Sequence, residues 1–163
     1  MENQKLNLFI VDDNKTMVTA LKLYLQNRFG LSIAVTTFSD GESCLEKVDQ
    51  NTNVVILDYF MPGKNGMEIL RSIKVINPQT EVIMLSNNED MATVIESFKE
   101  GAKDYLVKGP GSWTAITKYV NYIITEPIRL IVREFSVPKY LAIFLMTFVT
   151  IGVVVLLGLR FIK

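Results

Sequence analysis

The chain has no histidine, and that absence excludes a good deal. Imidazole general-base catalysis, histidine ligation of zinc or iron, and a phosphohistidine on this chain are all ruled out. A single cysteine, Cys44, leaves no intrachain disulfide. It falls in a helix-like stretch, DGESCLEKV, where a small buried thiol is the expected role. One cysteine fits a reducing compartment. Basic and acidic residues balance at 17 each, so the basic excess that marks a nucleic-acid surface is lacking. The N-terminus has no secretory signal pattern, because its apolar stretch is short and runs straight into acid. Repeats and low-complexity segments are missing too.

What is present is a regular alternation. Residues 6–11, 31–37, 53–57, 81–85 and 103–107 are short, apolar and rich in β-branched residues, which predicts five strands. Between and after them lie helical patterns. Asn14 caps a helix over 15–28 whose apolar positions are Met17, Val18, Leu21, Tyr24 and Leu25, and Gly30 closes it. Ser39 or Asp40 opens a helix around 41–50. The helix over 67–76 presents Met67, Leu70, Ile73 and Ile76 on one face and stops at Asn77-Pro78. Further helices are predicted over 90–100 and 112–124. Strands alternating with helices predict an α/β fold, a doubly wound parallel sheet. Such sheets bind ligands outside the carboxyl ends of their strands.

The polar residues at those ends are chemically specific. Asp12 and Asp13 follow the first strand, Asp58 the third, Ser86 the fourth and Lys108 the fifth. Carboxylates brought together repel one another, and a hard divalent cation relieves the repulsion; Mg²⁺ is commonly held by one or two carboxylates plus a phosphate. Asp58 is then a nucleophile for an aspartyl phosphate. Lys108 supplies a second positive charge to the phosphoryl oxygens, and Ser86 a hydrogen bond. Each residue alone would be read as a cap, a turn or a solvated side chain; their joint placement at four strand ends carries the reading.

These residues resemble the receiver domain of bacterial two-component response regulators. The likeness spans residues 6 to about 124 and rests on Asp12-Asp13, on the segment from Asp58 to Gly66, on Leu85-Ser86, and on the segment from Gly101 to Lys108. It implies a flavodoxin-like sheet in the order 2-1-3-4-5. It implies that Asp58 accepts a phosphoryl group from a histidine kinase or phosphotransfer protein. Asp13, Asp58 and the Phe60 backbone carbonyl would ligate Mg²⁺ directly, with Asp12 helping through water. Ser86 would reorient on activation, and Tyr105 would turn into the vacated space and carry the signal to the face formed by helix 4, strand 5 and helix 5. The chain departs from the family pattern at Lys108-Gly109-Pro110, where proline usually follows the lysine directly. Gly109 is expected to compensate with a backbone conformation closed to other residues. Phe60 cannot hydrogen-bond a hydrolytic water, and this together with Asn87 is expected to slow self-dephosphorylation or make it depend on a phosphatase.

The C-terminal region carries a second theme. Within 125–139, Ile128, Ile131, Val132 and Phe135 share a helical face, with Arg129 and Arg133 off it. This juxtamembrane linker is either an interfacial helix near anionic headgroups or an extension of the receiver. Pro138 and Lys139-Tyr140 then precede Leu141–Leu159, 19 residues without charge. As a helix they would span about 28 Å, close to a bilayer's hydrocarbon thickness. A transmembrane helix over 140–160 is expected, with the receiver domain over 1–124. Basic residues flank both ends, so charge does not orient the span. A receiver must meet its kinase, which places it on the cytoplasmic side of a bacterial inner membrane, as a single-pass tail anchor. Gly152 and Gly158 do not form a small-xxx-small pair, and a homodimer stays open.

The sequence therefore predicts a membrane-tethered, stand-alone phosphoacceptor switch. Its partners would be a histidine kinase or phosphotransfer protein, the lipid bilayer and a downstream protein, with no nucleic acid. It would not be an enzyme beyond assisting its own phosphoryl transfer and hydrolysis. A phosphorylation-independent adaptor is the alternative. An aspartate-nucleophile phosphohydrolase would need an acid where Asn14 stands.

Overall fold

The computed structural model describes residues 5–87 and 90–134, with Thr147, Phe148 and Ile151. Five strands, β1 (Leu6–Val11), β2 (Ile33–Phe38), β3 (Val54–Asp58), β4 (Glu81–Ser86) and β5 (Asp104–Val107), alternate with five helices. These are α1 (Lys15–Phe29), α2 (Gly41–Leu45), α3 (Gly66–Ile76), α4 (Met91–Lys99) and α5 (Ser112–Glu134). All strand pairs are parallel, in the order β2-β1-β3-β4-β5, as the resemblance implied.

The apolar runs become central strands because both of their faces are covered. On one face Phe9, Val11, Val55, Leu57, Val82 and Met84 join Cys44, Met67, Ile69, Leu70 and Ile73 from α2 and α3 in a single core. Since side chains alternate along a strand, Leu8, Ile10, Ile56, Ile83 and Leu85 point to the other side, and they are buried there too. On α1 the buried residues are Val18, Leu21 and Leu25, and Tyr24 packs on Trp113 of α5 with ring centroids 5.2 Å apart.

The local signals acted as their chemistry predicts. The Asn14 side chain accepts a hydrogen bond from the N–H of Met17 and caps α1. Asp40 caps α2, and Asn65 with Glu68 forms a reciprocal capping box on α3.

Four readings of the sequence need correction. A 3₁₀ turn occupies Gly30–Ser32, so β2 starts two residues later than expected. Helix α2 ends at Leu45 rather than near residue 50. On α3 the buried face is Met67, Ile69, Leu70 and Ile73, while Ile76 is exposed; the helix turns about 100° per residue, so a strict spacing of three drifts off the core. Helix α5 runs on to Glu134, through Pro127 and ten residues into the 125–139 stretch. Proline removes one backbone donor, at about 3 kcal/mol, but the bonds on either side remain, and it is not an absolute stop.

By its contacts the chain divides into Met1–Asn121 and Tyr122–Lys163. The first unit holds the sheet. Most of Leu141–Leu159 lies outside the described residues, as do Pro138, Lys139, Tyr140 and Arg160; Thr147, Phe148 and Ile151 are helical. Among the described residues no helix is long and apolar enough to cross a membrane.

Candidate phosphoacceptor site

Parallel pairing sets the site. Val11 pairs with Leu57, so one residue further along each chain Asp12 comes beside Asp58. The Asp12 N–H donates to the Phe38 carbonyl of β2 at 3.2 Å, that of Tyr59 to Leu85 of β4 at 2.8 Å, and that of Lys108 to Ser86 at 2.8 Å. The ladder thus continues past the strand ends and fixes the backbone from which Asp12, Asp58, Ser86 and Lys108 project.

Asp12 and Asp58 are buried, 2% and 4% exposed, and Asp13 is exposed. The three can each offer an oxygen within 4.8 Å of one another. The Lys108 ammonium lies 2.7 Å from Asp12 Oδ2 and 2.9 Å from Asp58 Oδ2. The other Asp12 oxygen accepts the N–H of Asn14 at 2.9 Å, so both oxygens of Asp12 are engaged. Asp58 Oδ1 is held more loosely, by the Phe60 N–H at 3.4 Å, beyond the usual hydrogen-bond range.

Electrostatics follow from this geometry. Burial pushes the Asp58 carboxyl above the ordinary carboxylate value; the hydrogen bond from Lys108 opposes this and the charge of Asp12 adds to it. Burial pulls the Lys108 ammonium down, but hydrogen bonds and charges from Asp12 and Asp58 outweigh it, and its pKa is raised. Three carboxylates against this one ammonium leave an excess of two negative charges, a donor set that suits a hard divalent cation.

Ser86 is fully buried at the end of β4. The pairing of Met84 with Tyr105 and of Ser86 with Val107 puts Ser86 and Tyr105 on the same face of the sheet. Tyr105 is half-buried and packs against the core on that face. Thus Asp12, Asp13, Asp58 and Lys108 meet, Ser86 stands at the same edge, and Tyr105 lies two residues further down β5.

Two parts of the site were not singled out from the sequence. The backbone N–H of Asn14 orients Asp12, which no side-chain pattern announces. Gly66 donates its N–H to the Tyr59 carbonyl at 2.9 Å, and a Cβ there would collide with the Asp58 carbonyl oxygen and the Tyr59 Cα. The glycine in PGKNG marked a loop, but not this approach of α3 to Asp58. Gly109 uses none of the latitude expected of it. Its φ is not positive, and a Cβ would meet nothing within 4 Å. Among the described residues no peptide bond is cis.

Known proteins are similar to this chain in sequence and fold. The family model for the response regulator receiver domain matches residues 8–120. The transcriptional regulatory protein ZraR of Klebsiella oxytoca is 31% identical over 109 residues, which are 66% of this chain and 24% of that protein. The chain therefore spans about a quarter of that relative's length. Among solved structures, the BeF₃-activated DrrB receiver domain matches with a TM-score of 0.65 at 31% identity, over 75% of this chain and 98% of that one. The CheX–CheY–BeF₃–Mg complex from Borrelia burgdorferi matches with a TM-score of 0.63 at 28% identity, over 72% and 88%. From the strand order, the carboxylate cluster with its lysine and the family match, this chain belongs to the response regulator receiver domain family.

Proposed function

We propose that Asp58 is the phosphoacceptor of a two-component switch, charged by a histidine kinase or phosphotransfer protein. The observation that carries this is Lys108 held between Asp12 and Asp58 at the carboxyl edge of the sheet. Asp58 Oδ2 is committed to Lys108, which leaves Oδ1 to attack phosphorus. Lys108 then neutralises phosphoryl charge from one side. Asp13, Asp58 and the Phe60 carbonyl would hold Mg²⁺, with Asp12 behind them, and the ion would supply charge neutralisation on the other side. Ser86 would hydrogen-bond a phosphoryl oxygen, and Tyr105 on the same face would read that change.

In this reading the chain catalyses nothing beyond its own phosphorylation and hydrolysis. The phosphoryl group shifts a two-state equilibrium and alters a protein-binding face around Tyr105. Helix α4 supports such a face, because it exposes Met91, Ile95 and Phe98 at helical spacing. The uncharged run Leu141–Leu159 supports a tether to the inner membrane with the receiver in the cytoplasm, where it would raise the local concentration of switch and partner. A balanced net charge supports a protein rather than a nucleic-acid target.

The test uses the full chain in detergent micelles with Mg²⁺ and acetyl phosphate, read by intact mass. One added phosphoryl group, lost in Asp58→Asn, is the expected result. No adduct in folded, Mg²⁺-binding protein would favour the phosphorylation-independent adaptor. Membrane attachment is checked separately: after alkaline extraction of cells the chain stays with the membrane pellet, and a soluble chain would sink the tether.

A further inference from the structure

We infer that the Ser112 hydroxyl is a positioning group for Lys108: it clamps the exposed loop that follows this lysine and so keeps the ammonium in reach of an anion bound at Asp58. This rests on Asp58 as acceptor and adds a residue of α5 that serves the site without touching it.

The sheet fixes Lys108 on one side only. Its own N–H donates to the Ser86 carbonyl at 2.8 Å, but β5 ends at Val107. The chain then leaves through Gly109, Pro110 and Gly111, all exposed. These residues bring little that could hold them. A Cβ at Gly109 or Gly111 would meet nothing within 4 Å, and proline has no N–H to donate. Left to itself, such a loop would let the lysine before it drift.

Ser112 closes the loop. Its hydroxyl donates to the Gly109 carbonyl at 2.8 Å and faces the Gly109 N–H at 3.4 Å. The Ser112 N–H reaches the same carbonyl at 3.1 Å. One hydroxyl thus addresses both polar groups of the residue directly after Lys108. Ser112 is itself anchored. It is 6% exposed and is the first residue of α5, a helix held by the fully buried Ile116 and Val120 and by Trp113 against Tyr24.

The consequence is selective. Lys108 reaches Asp12 at 2.7 Å and Asp58 at 2.9 Å, and a small misplacement of a group that must meet reacting atoms costs much of its effect. The carboxylates do not depend on this loop: Asp12 and Asp13 follow β1, and Asp58 ends β3. Loss of the Ser112 hydroxyl should therefore weaken the hold on an anion at Asp58 and leave the hold on a divalent cation intact. A looser ammonium also competes less with that cation for the carboxylates.

The experiment is a pair of calorimetric titrations on the full chain in micelles, first with Mg²⁺ alone and then with fluoroberyllate at saturating Mg²⁺. Fluoroberyllate stands in for the phosphoryl group. The proteins are wild type, Ser112→Ala, Ser112→Thr and Lys108→Met. Ser112→Ala should bind fluoroberyllate about fivefold more weakly, the effect of one hydrogen bond, and Mg²⁺ no more weakly than wild type does. Ser112→Thr keeps the hydroxyl and should keep both affinities. Lys108→Met should show the same split, only larger. If Ser112→Ala weakens both ligands alike or neither, or if Ser112→Thr falls as far as Ser112→Ala, the inference is overturned while Asp58 stays the acceptor. Wild type that binds Mg²⁺ but neither takes up fluoroberyllate nor gains mass from acetyl phosphate would instead remove the acceptor reading, and the inference with it.

Discussion

Lys108 Nζ lies 2.7 Å from Asp12 and 2.9 Å from Asp58, so a single ammonium holds together two buried carboxylates that would otherwise repel across the ends of β1 and β3. The site therefore bears on stability as well as on the proposed phosphoryl transfer, and the two can be separated.

Removing different members of this trio should move stability in opposite directions. Lys108→Met leaves two buried carboxylates without their cation and should destabilise the fold by about 2–4 kcal/mol in EDTA, somewhat below a fully buried pair because Lys108 is partly exposed. Asp58→Asn removes one of the repelling charges and keeps the Lys108–Asp12 pair. It should stabilise by about 0.5–2 kcal/mol while abolishing phosphorylation. Urea unfolding of the three proteins checks both signs.

The raised pKa of Asp58 gives this effect a pH dependence. The folded state holds the Asp58 proton more tightly than the unfolded chain does. That contribution is fully present below the ordinary carboxylate pKa of about 3.9 and is lost as pH rises through the folded value. In EDTA the advantage of Asp58→Asn over wild type should therefore be small in acid and grow to a plateau toward neutrality. A gap that does not change with pH would contradict this. Adding Mg²⁺ at neutral pH should raise the melting temperature of wild type more than that of Asp13→Asn.

Two glycines at the site should behave differently when given a methyl group. Gly66→Ala forces a Cβ into the backbone of Asp58 and Tyr59. It should cost about 2–4 kcal/mol and most of the phosphorylation rate, because the acceptor itself must shift. Gly109→Ala enters open space at an ordinary φ. It should be neutral or stabilising by up to about 1 kcal/mol, by narrowing the unfolded ensemble. Thermal melts and the phosphorylation rate of each variant decide the matter.

Cys44 should be inert until the fold opens. It is fully buried, and burial, aided by the nearby Asp40 charge, pushes its thiol up to about 12. Thiolate is the reactive form. Alkylation by iodoacetamide at pH 8 should be slow in native protein and fast in urea. Rapid native labelling would mean that α2 detaches from the core.

Much of the architecture was legible in local pattern. The alternation of apolar runs with capped helical segments specified a parallel sheet, since only strands covered on both faces can be apolar throughout. Asp12, Asp13, Asp58, Ser86 and Lys108 were legible because each stands at the end of such a run, and strand ends on a parallel sheet share one edge. Helix ends were less legible. Ile76 and the short α2 depend on how much apolar surface each helix finds to bury, which no local pattern records. What happens within the site came from packing alone: that Lys108 bridges Asp12 and Asp58, that the Asn14 N–H holds Asp12, that Gly66 lets α3 touch the backbone of Asp58 and Tyr59, and that Gly109 has no positive φ. These are contacts of a few ångströms between residues up to 96 positions apart. Pattern places residues on an edge, but register, twist and packing set the distances between them.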